Sequence, residues 1–170
     1  AILVRHSGKR TLVAVVDALG HGPEAAKVSA AAVASMEGAP LDQGVESILT
    51  RLHTALRGSR GAAAMLCLLH EGNVEGAGVG NVDLRSVGTR LPVRLSAGIL
   101  GSRWPRLHVF TGVVQPGHRL IFFSDGISQR FSTEVLRGRS AQEAAIHLLQ
   151  HHASPIDDAT VLVADLEEES

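Results

Sequence analysis

The sequence predicts an α+β domain, and three features carry that reading. Two amphipathic helical stretches lie near the start, short β-rich runs separated by glycine turns fill the middle, and a helix followed by one apolar run closes the chain. Leu12-Val13-Ala14-Val15-Val16 is the first β-rich run and stops abruptly at Asp17. A glycine-punctuated loop, 18–22, follows, and Pro23 suits the first position of a helix over 24–37. Val28, Ala32, Ser35 and Met36 share one face of that helix, and Gly38 stops it. Asp42 is the predicted cap of a second helix over 42–57, whose Val45, Ile48, Leu49, Leu52 and Leu56 recur at helical spacing.

From residue 62 the pattern changes to strands. Runs at 62–70, 74–79, 82–87 and 91–95 are separated by Glu71-Gly72-Asn73, Gly80-Asn81 and Gly88-Thr89, which predicts consecutive antiparallel hairpins. A further pair, 107–114 and 119–124, is expected across Gln115-Pro116-Gly117. Ser140-Ala141-Gln142-Glu143 matches a capping box, with Ala141, Ala145, Leu148, Leu149 and His152 as the inward stripe of the helix it starts. A buried strand over 160–166 and a frayed acidic tail over 167–170 end the chain.

Composition bounds the function. The 170 residues suit one domain, and 45% hydrophobic content excludes a disordered chain. Aromatic residues are only 3%, with no Tyr, so the core must be aliphatic. Sixteen basic against seventeen acidic residues supply no broad field for nucleic acid or an anionic membrane surface. The single cysteine, Cys67, excludes a disulfide within the chain and a Cys-based zinc site, and its apolar run predicts burial. No apolar stretch approaches the ~18 residues of a membrane span, and Arg5, Lys9 and Arg10 are not followed by a signal-peptide core. The expectation is a monomeric, cytoplasmic domain.

Acidic residues recur in one context. Asp17 ends an apolar strand, Asp125 ends another, and Asp157-Asp158 stand just before the last. A carboxylate at a strand end is held on a rigid frame yet points off the sheet into a cleft, and an all-oxygen set suits Mg2+ or Mn2+. Two such ions can acidify a shared water and hold a phosphoryl oxygen for in-line attack. A lone Asp at a strand end is more often a turn former, so the flanking residues decide.

Val16-Asp17-Ala18-Leu19-Gly20-His21-Gly22-Pro23, Phe123-Ser124-Asp125-Gly126-Ile127 and Asp157-Asp158-Ala159-Thr160 occur in that order. With Gly78-Val79-Gly80-Asn81-Val82 and Ala97-Gly98-Ile99-Leu100-Gly101, they resemble the type-2C metal-dependent protein phosphatases (PPM superfamily). The likeness is to the SpoIIE-like branch, and within it to the compact RsbX-type phosphatases of stress-signalling complexes. It runs over essentially the whole chain and implies an αββα sandwich, two antiparallel sheets flanked by helices. It also implies that Asp17 bridges two Mn2+ or Mg2+ ions, joined by the backbone carbonyl of Ala18. Asp125 and Asp157 would ligate the second ion, with Asp158 as a further ligand or an orienting neighbour. The substrate so implied is phosphoserine or phosphothreonine on a STAS-domain regulator, hydrolysed without a phospho-enzyme.

Two positions depart from the pattern. Ala18 replaces the usual glycine and takes a positive φ only at a cost, so the loop after Asp17 is expected to sit differently. The Gly-Asp pair that relatives carry one strand upstream is not found in residues 1–170, so the single domain, 1–170, is expected to lack its first strand and that motif. These departures motivate an alternative, a partner-binding module with weak or lost catalysis. A third reading is a hydrolase of small phosphate esters. Of the histidines, His21 beside Asp17 is the candidate proton donor to the leaving oxygen. His147 and His151, four apart, read as a solvated helix face. Arg130 is a candidate to orient phosphate or substrate backbone, and Arg103-Trp104-Pro105-Arg106 is either a docking loop or a tryptophan folded onto the protein.

Overall fold

The structure, a computed structural model, describes residues 1–104 and 106–167. Pro105 of the Arg-Trp-Pro-Arg loop and residues 168–170 of the expected frayed tail lie outside the described residues.

Two central strands organise the molecule. β2 (Arg10–Ala18) and β3 (Ala62–His70) pair antiparallel and are apolar on both faces. Their alternation divides the side chains between two cores. Leu12, Ala14, Val16, Ala64 and Leu66 face helices, whereas Val13, Val15, Met65 and Cys67 face a second sheet. β1 (Ile2–Ser7) flanks β2, and β4 (Asn73–Val79) flanks β3. β4 also pairs with the two-residue β6 (Leu95–Ser96) and with β7 (Val109–Val113), completing a six-stranded sheet. The second sheet holds three antiparallel strands in the order β5 (Asp83–Val87), β8 (Arg119–Phe123), β9 (Val161–Asp165).

Helix α1 (Gly22–Glu37) turns Val28, Ala32 and Met36 onto the larger sheet beside α2 (Gly44–Ala55). On the far side, α3 (Ala141–His152) presses Ala144 and Leu148 onto Ile121 and Phe123 of the smaller sheet. Three separate cores therefore lie between four layers, and the expected αββα sandwich is the fold observed. The Ser140–Glu143 capping box forms reciprocally.

The hairpin reading of the middle of the chain fails at three turns, 80–81, 88–89 and 115–117. At Gly80-Asn81 the chain leaves the larger sheet, and β5 pairs with β8 and not with β4. Gly80 has φ +83, and a Cβ there would stand 2.7 Å from that of Ala63, so only glycine lets the chain turn so close to β3. The 115–117 turn likewise carries the chain from β7, on β4, to β8 in the other sheet. Short glycine turns look alike in sequence whether they close a hairpin or switch sheets. The run at 91–95 shrinks to β6, which lies parallel to β4. β1 was not predicted because its alternation is poor, with Ile2 and Val4 exposed at the sheet edge.

Local details differ too. Asp42 lies in a 3-10 turn (Leu41–Gln43) and does not cap α2. Glu75 of β4 does part of that work, accepting from the Val45 N–H at 3.1 Å. Leu149 of the expected α3 stripe is 40% exposed. Trp104 packs edge-on against His53 of α2, with ring centroids 4.9 Å apart, so it is folded onto the protein.

Candidate active site

Three chain segments that end or begin apolar strands open into one cleft of ≈ 1130 Å³. Asp17 enters it from the last turn of β2, Asp125 from just beyond β8, and Asp157 and Asp158 from the loop before β9. Ala18 and His21 also line it. The four carboxylates thus reach one space from both sheets.

Asp17 is half-buried, whereas Asp125, Asp157 and Asp158 are exposed. Burial raises the Asp17 carboxyl above the ordinary carboxylate range. The charge of Asp125 adds to this, and Asp157 and Asp158 add smaller repulsions. Carboxylates that disfavour each other's ionisation would each gain from a nearby positive charge.

The donor set fits a hard divalent ion: every candidate side chain is a carboxylate, with backbone oxygens beside it. Among the described residues, no three His, Cys, Asp or Glu side chains stand together closely enough to hold a metal ion by themselves. An ion here would take separate protein oxygens and complete its shell with water or phosphate, as Mg2+ and Mn2+ accept.

Ala18 shows how the loop manages without the usual glycine. It remains the last residue of β2, and Glu71 is the one described non-glycine residue with positive φ. The left-handed turns fall instead at Gly20 and Gly22, with φ of 88° and 77°. His21 between them is extended, precedes α1 without capping it by its side chain, and is exposed.

Several residues of the same motifs have supporting roles that no local pattern marks. Asn81 donates from Nδ2 to Asp125 Oδ2, so the sheet-switching turn brings an amide to the second carboxylate. Ser124 is buried, and its Oγ accepts from the Thr160 N–H at 3.0 Å while its own N–H bonds the Thr160 carbonyl at 3.0 Å. That exchange locks the residue before Asp125 to the residue before β9. A Cβ on Gly126 would lie 2.2 Å from the Asp158 carbonyl oxygen, so glycine lets the two acidic loops touch. Asp157 Oδ1 accepts from the Asp158 N–H at 3.0 Å, which fixes the Asp157 carboxylate against its own loop. Only the polar and glycine content of these motifs hints at such roles in the sequence.

Arg130 does not line the cleft; it lies in an exposed turn where its N–H bonds Ser128 Oγ. Cys67 is fully buried in β3, and burial drives its thiol pKa upward, away from nucleophilic use. His147 and His151 stack on each other on the exposed face of α3. No helix among the described residues is long and apolar enough to cross a membrane.

Comparisons with known proteins agree with this architecture. The family model described as Stage II sporulation protein E (SpoIIE) matches residues 7–170. Phosphoserine phosphatase RsbX of Bacillus subtilis (strain 168) is 25% identical over 173 residues, covering 98% of this chain and 86% of RsbX. A chain solved in a study of the bacterial stressosome superposes with a TM-score of 0.88 at 32% identity, covering 96% of this chain and 88% of that one. Crystalline RsbX in complex with magnesium gives a TM-score of 0.80 at 26% identity, over 96% and 84% of the two chains. The serine/threonine phosphatase PstP/Ppp of Mycobacterium tuberculosis, at 17% identity and a TM-score of 0.74 over 98% and 92%, shares the fold. The chain belongs to the SpoIIE family and is a protein phosphatase of the type-2C fold.

Proposed function

We propose that this phosphatase hydrolyses phosphoserine or phosphothreonine on a small regulatory protein of the STAS type, using divalent metal held by Asp17, Asp125 and Asp157. The observation that carries the reading is the convergence of four carboxylates from both sheets on one cleft, with Asp17 raised by burial and by its acidic neighbours. The main-chain oxygen of Ala18 joins Asp17, and Asp158 serves as a further ligand or braces Asp157. Two Mn2+ or Mg2+ ions, when bound, lower the pKa of water and neutralise phosphoryl charge.

The chain's own residues do the rest. Asp17, on the rigid end of β2, would fix where a bound divalent ion sits relative to the two sheets. Asn81 and the Ser124–Thr160 exchange hold Asp125 and the 157–158 loop in register, so little reorganisation is left for the reaction itself. His21, exposed at the cleft wall, would give a proton to the departing serine or threonine oxygen. Free N–H groups at the start of α1 offer further donors to an anion. The buried Cys67 agrees with direct attack by water and no phospho-enzyme.

The partner-binding alternative was motivated partly by Ala18, and Ala18 keeps an ordinary backbone at the end of β2. Phosphate release from a phosphorylated STAS-domain protein with Mn2+ tests the proposal. Asp17→Asn and Asp125→Asn should each lower turnover roughly a thousandfold, about 4 kcal/mol of transition-state stabilisation. Unchanged activity in both variants would sink the assignment, and failure to bind Mn2+ would favour the binding module. Faster turnover of a small phosphate ester than of any phosphoprotein would favour the metabolite reading.

A further inference from the structure

The cleft is acidic in its depth, and His21 is the only basic side chain among the described residues that line it. A phosphorylated polypeptide is itself anionic, so a cation at the rim would matter to its approach. Arg60 stands there. Its guanidinium lies across Gly20 of the cleft wall, where an added Cβ would meet Nη1 at 2.6 Å and Cδ at 3.6 Å. Arg60 is exposed and makes no side-chain hydrogen bond or ion pair among the described residues. Most arginines that pack closely on this protein are engaged elsewhere: Arg119 pairs with Asp165, and Arg85 donates to the Gln129 and Phe131 carbonyls.

The backbone beneath Arg60 is braced. Ser59 Oγ donates to the Leu56 carbonyl at 2.6 Å and accepts from the Gly61 N–H at 3.0 Å. The Gly61 carbonyl accepts from the Leu19 N–H at 3.0 Å, tying this turn to the loop that follows Asp17. Gly61 has φ +83, and a Cβ there would meet Ile99 Cγ2 at 2.5 Å, so Ile99 sits directly against the same turn. Leu19 and Ile99, 39% and 36% exposed, both line the cleft. A free guanidinium on a fixed turn, beside two exposed aliphatic side chains at the mouth of an acidic cleft, is a surface for polypeptide rather than for a small ester.

We propose that Arg60 is a specificity-determining residue that pairs with an acidic side chain flanking the phosphorylated residue of the substrate, while Leu19 and Ile99 take an apolar neighbour. This rests on the phosphatase reading of the cleft. Arg60 holds the substrate chain outside the reacting centre, so it affects binding of a phosphopeptide and not the hydrolysis of an ester too small to reach the rim.

The test compares wild type, Arg60→Ala, Arg60→Lys and Arg60→Glu on phosphoserine peptides that carry either acidic or neutral flanks, with p-nitrophenyl phosphate as the small ester. Both turnover and fluorescence-anisotropy binding are read. Arg60→Ala should raise KM and Kd for the acidic-flanked peptide about tenfold, leave the neutral peptide unchanged, and leave kcat on p-nitrophenyl phosphate unchanged. Arg60→Lys should restore part of the selectivity, and Arg60→Glu should reverse it. Equal changes on acidic and neutral peptides, or no change on either, would overturn the proposal. Arg60-dependent peptide binding in a wild type that turns over neither peptide nor ester would uphold it and overturn the phosphatase reading instead.

Discussion

The two sheets contribute carboxylates to the cleft in different physical states. The larger sheet delivers Asp17 at the end of a nine-residue central strand, half-buried, with its carboxyl raised by burial and by its acidic neighbours. The smaller sheet delivers Asp125, Asp157 and Asp158 on exposed loops, and there order comes from hydrogen bonds and close contacts outside the strands. Asp17 is positioned by packing, so its environment is costly to ionise but hard to deform. The other three are positioned by a few polar contacts, so they are well solvated but depend on each contact. Damage to the two halves should therefore look different.

Among the contacts that hold the carboxylates in place, the largest effect is expected where the exposed loops touch. Gly126→Ala must displace the Asp158 carbonyl, now 2.2 Å from the new Cβ position. Because the obstacle is backbone, the whole 157–158 loop moves away from Asp125. Turnover should fall about 100-fold, since misplacing reacting groups by ~1 Å costs that much, and stability should fall by about 1–3 kcal/mol. Phosphatase kinetics with a denaturant melt measures both. Wild-type kcat in this variant would show that the loops are not held by contact.

A step down, Ser124→Ala removes the acceptor for the Thr160 N–H but leaves the Ser124–Thr160 backbone bond in place. Asn81→Ala removes the donor to Asp125. Each should reduce turnover or metal affinity by about 10–100-fold, the usual range for groups that orient metal ligands. Metal-dependence curves would separate a shifted midpoint from a lower plateau. Metal affinity and turnover unaltered in both variants would mean that the strand frame alone orders Asp125, and the contrast between the two sheets would collapse.

Legibility in the sequence follows the same division. The strand ends at Asp17 and Asp125 were visible because long apolar runs stop there and only a carboxylate follows. Both flanking helices were visible through their periodicity, and α3 through its capping box. What escaped was long-range. Gly80-Asn81 has the residues of a hairpin turn, and nothing local says that the chain leaves the larger sheet there and pairs next with β8. The partnership of Asn81 with Asp125 depends on that switch and escaped with it. Asp42 looked like a cap because Glu75, remote in sequence, is what accepts from the start of α2. Arg60 carries no local signal, because its meaning depends on its packing against Gly20.

The smallest effect concerns stability, and it separates the two kinds of carboxylate most directly. The Asp17 carboxyl is raised in the folded protein, so ionising it costs folding free energy in the absence of a cation. The cost is absent below the unfolded-state value near 3.8, grows as pH rises through the folded pKa, and is complete above it. Asp17→Asn removes the charge and so should stabilise the metal-free protein at neutral pH even as it lowers turnover. Half-exposure screens part of the gain, so the expected rise in Tm is small. The difference from wild type should shrink toward zero as pH is lowered to 4. Asp125→Asn, on the exposed side, should raise Tm less. Saturating Mn2+ should invert the order, because wild type gains binding energy that the variant lacks. Equal gains from both substitutions would show that the strand-held and loop-held carboxylates share one electrostatic environment, leaving their difference purely one of support.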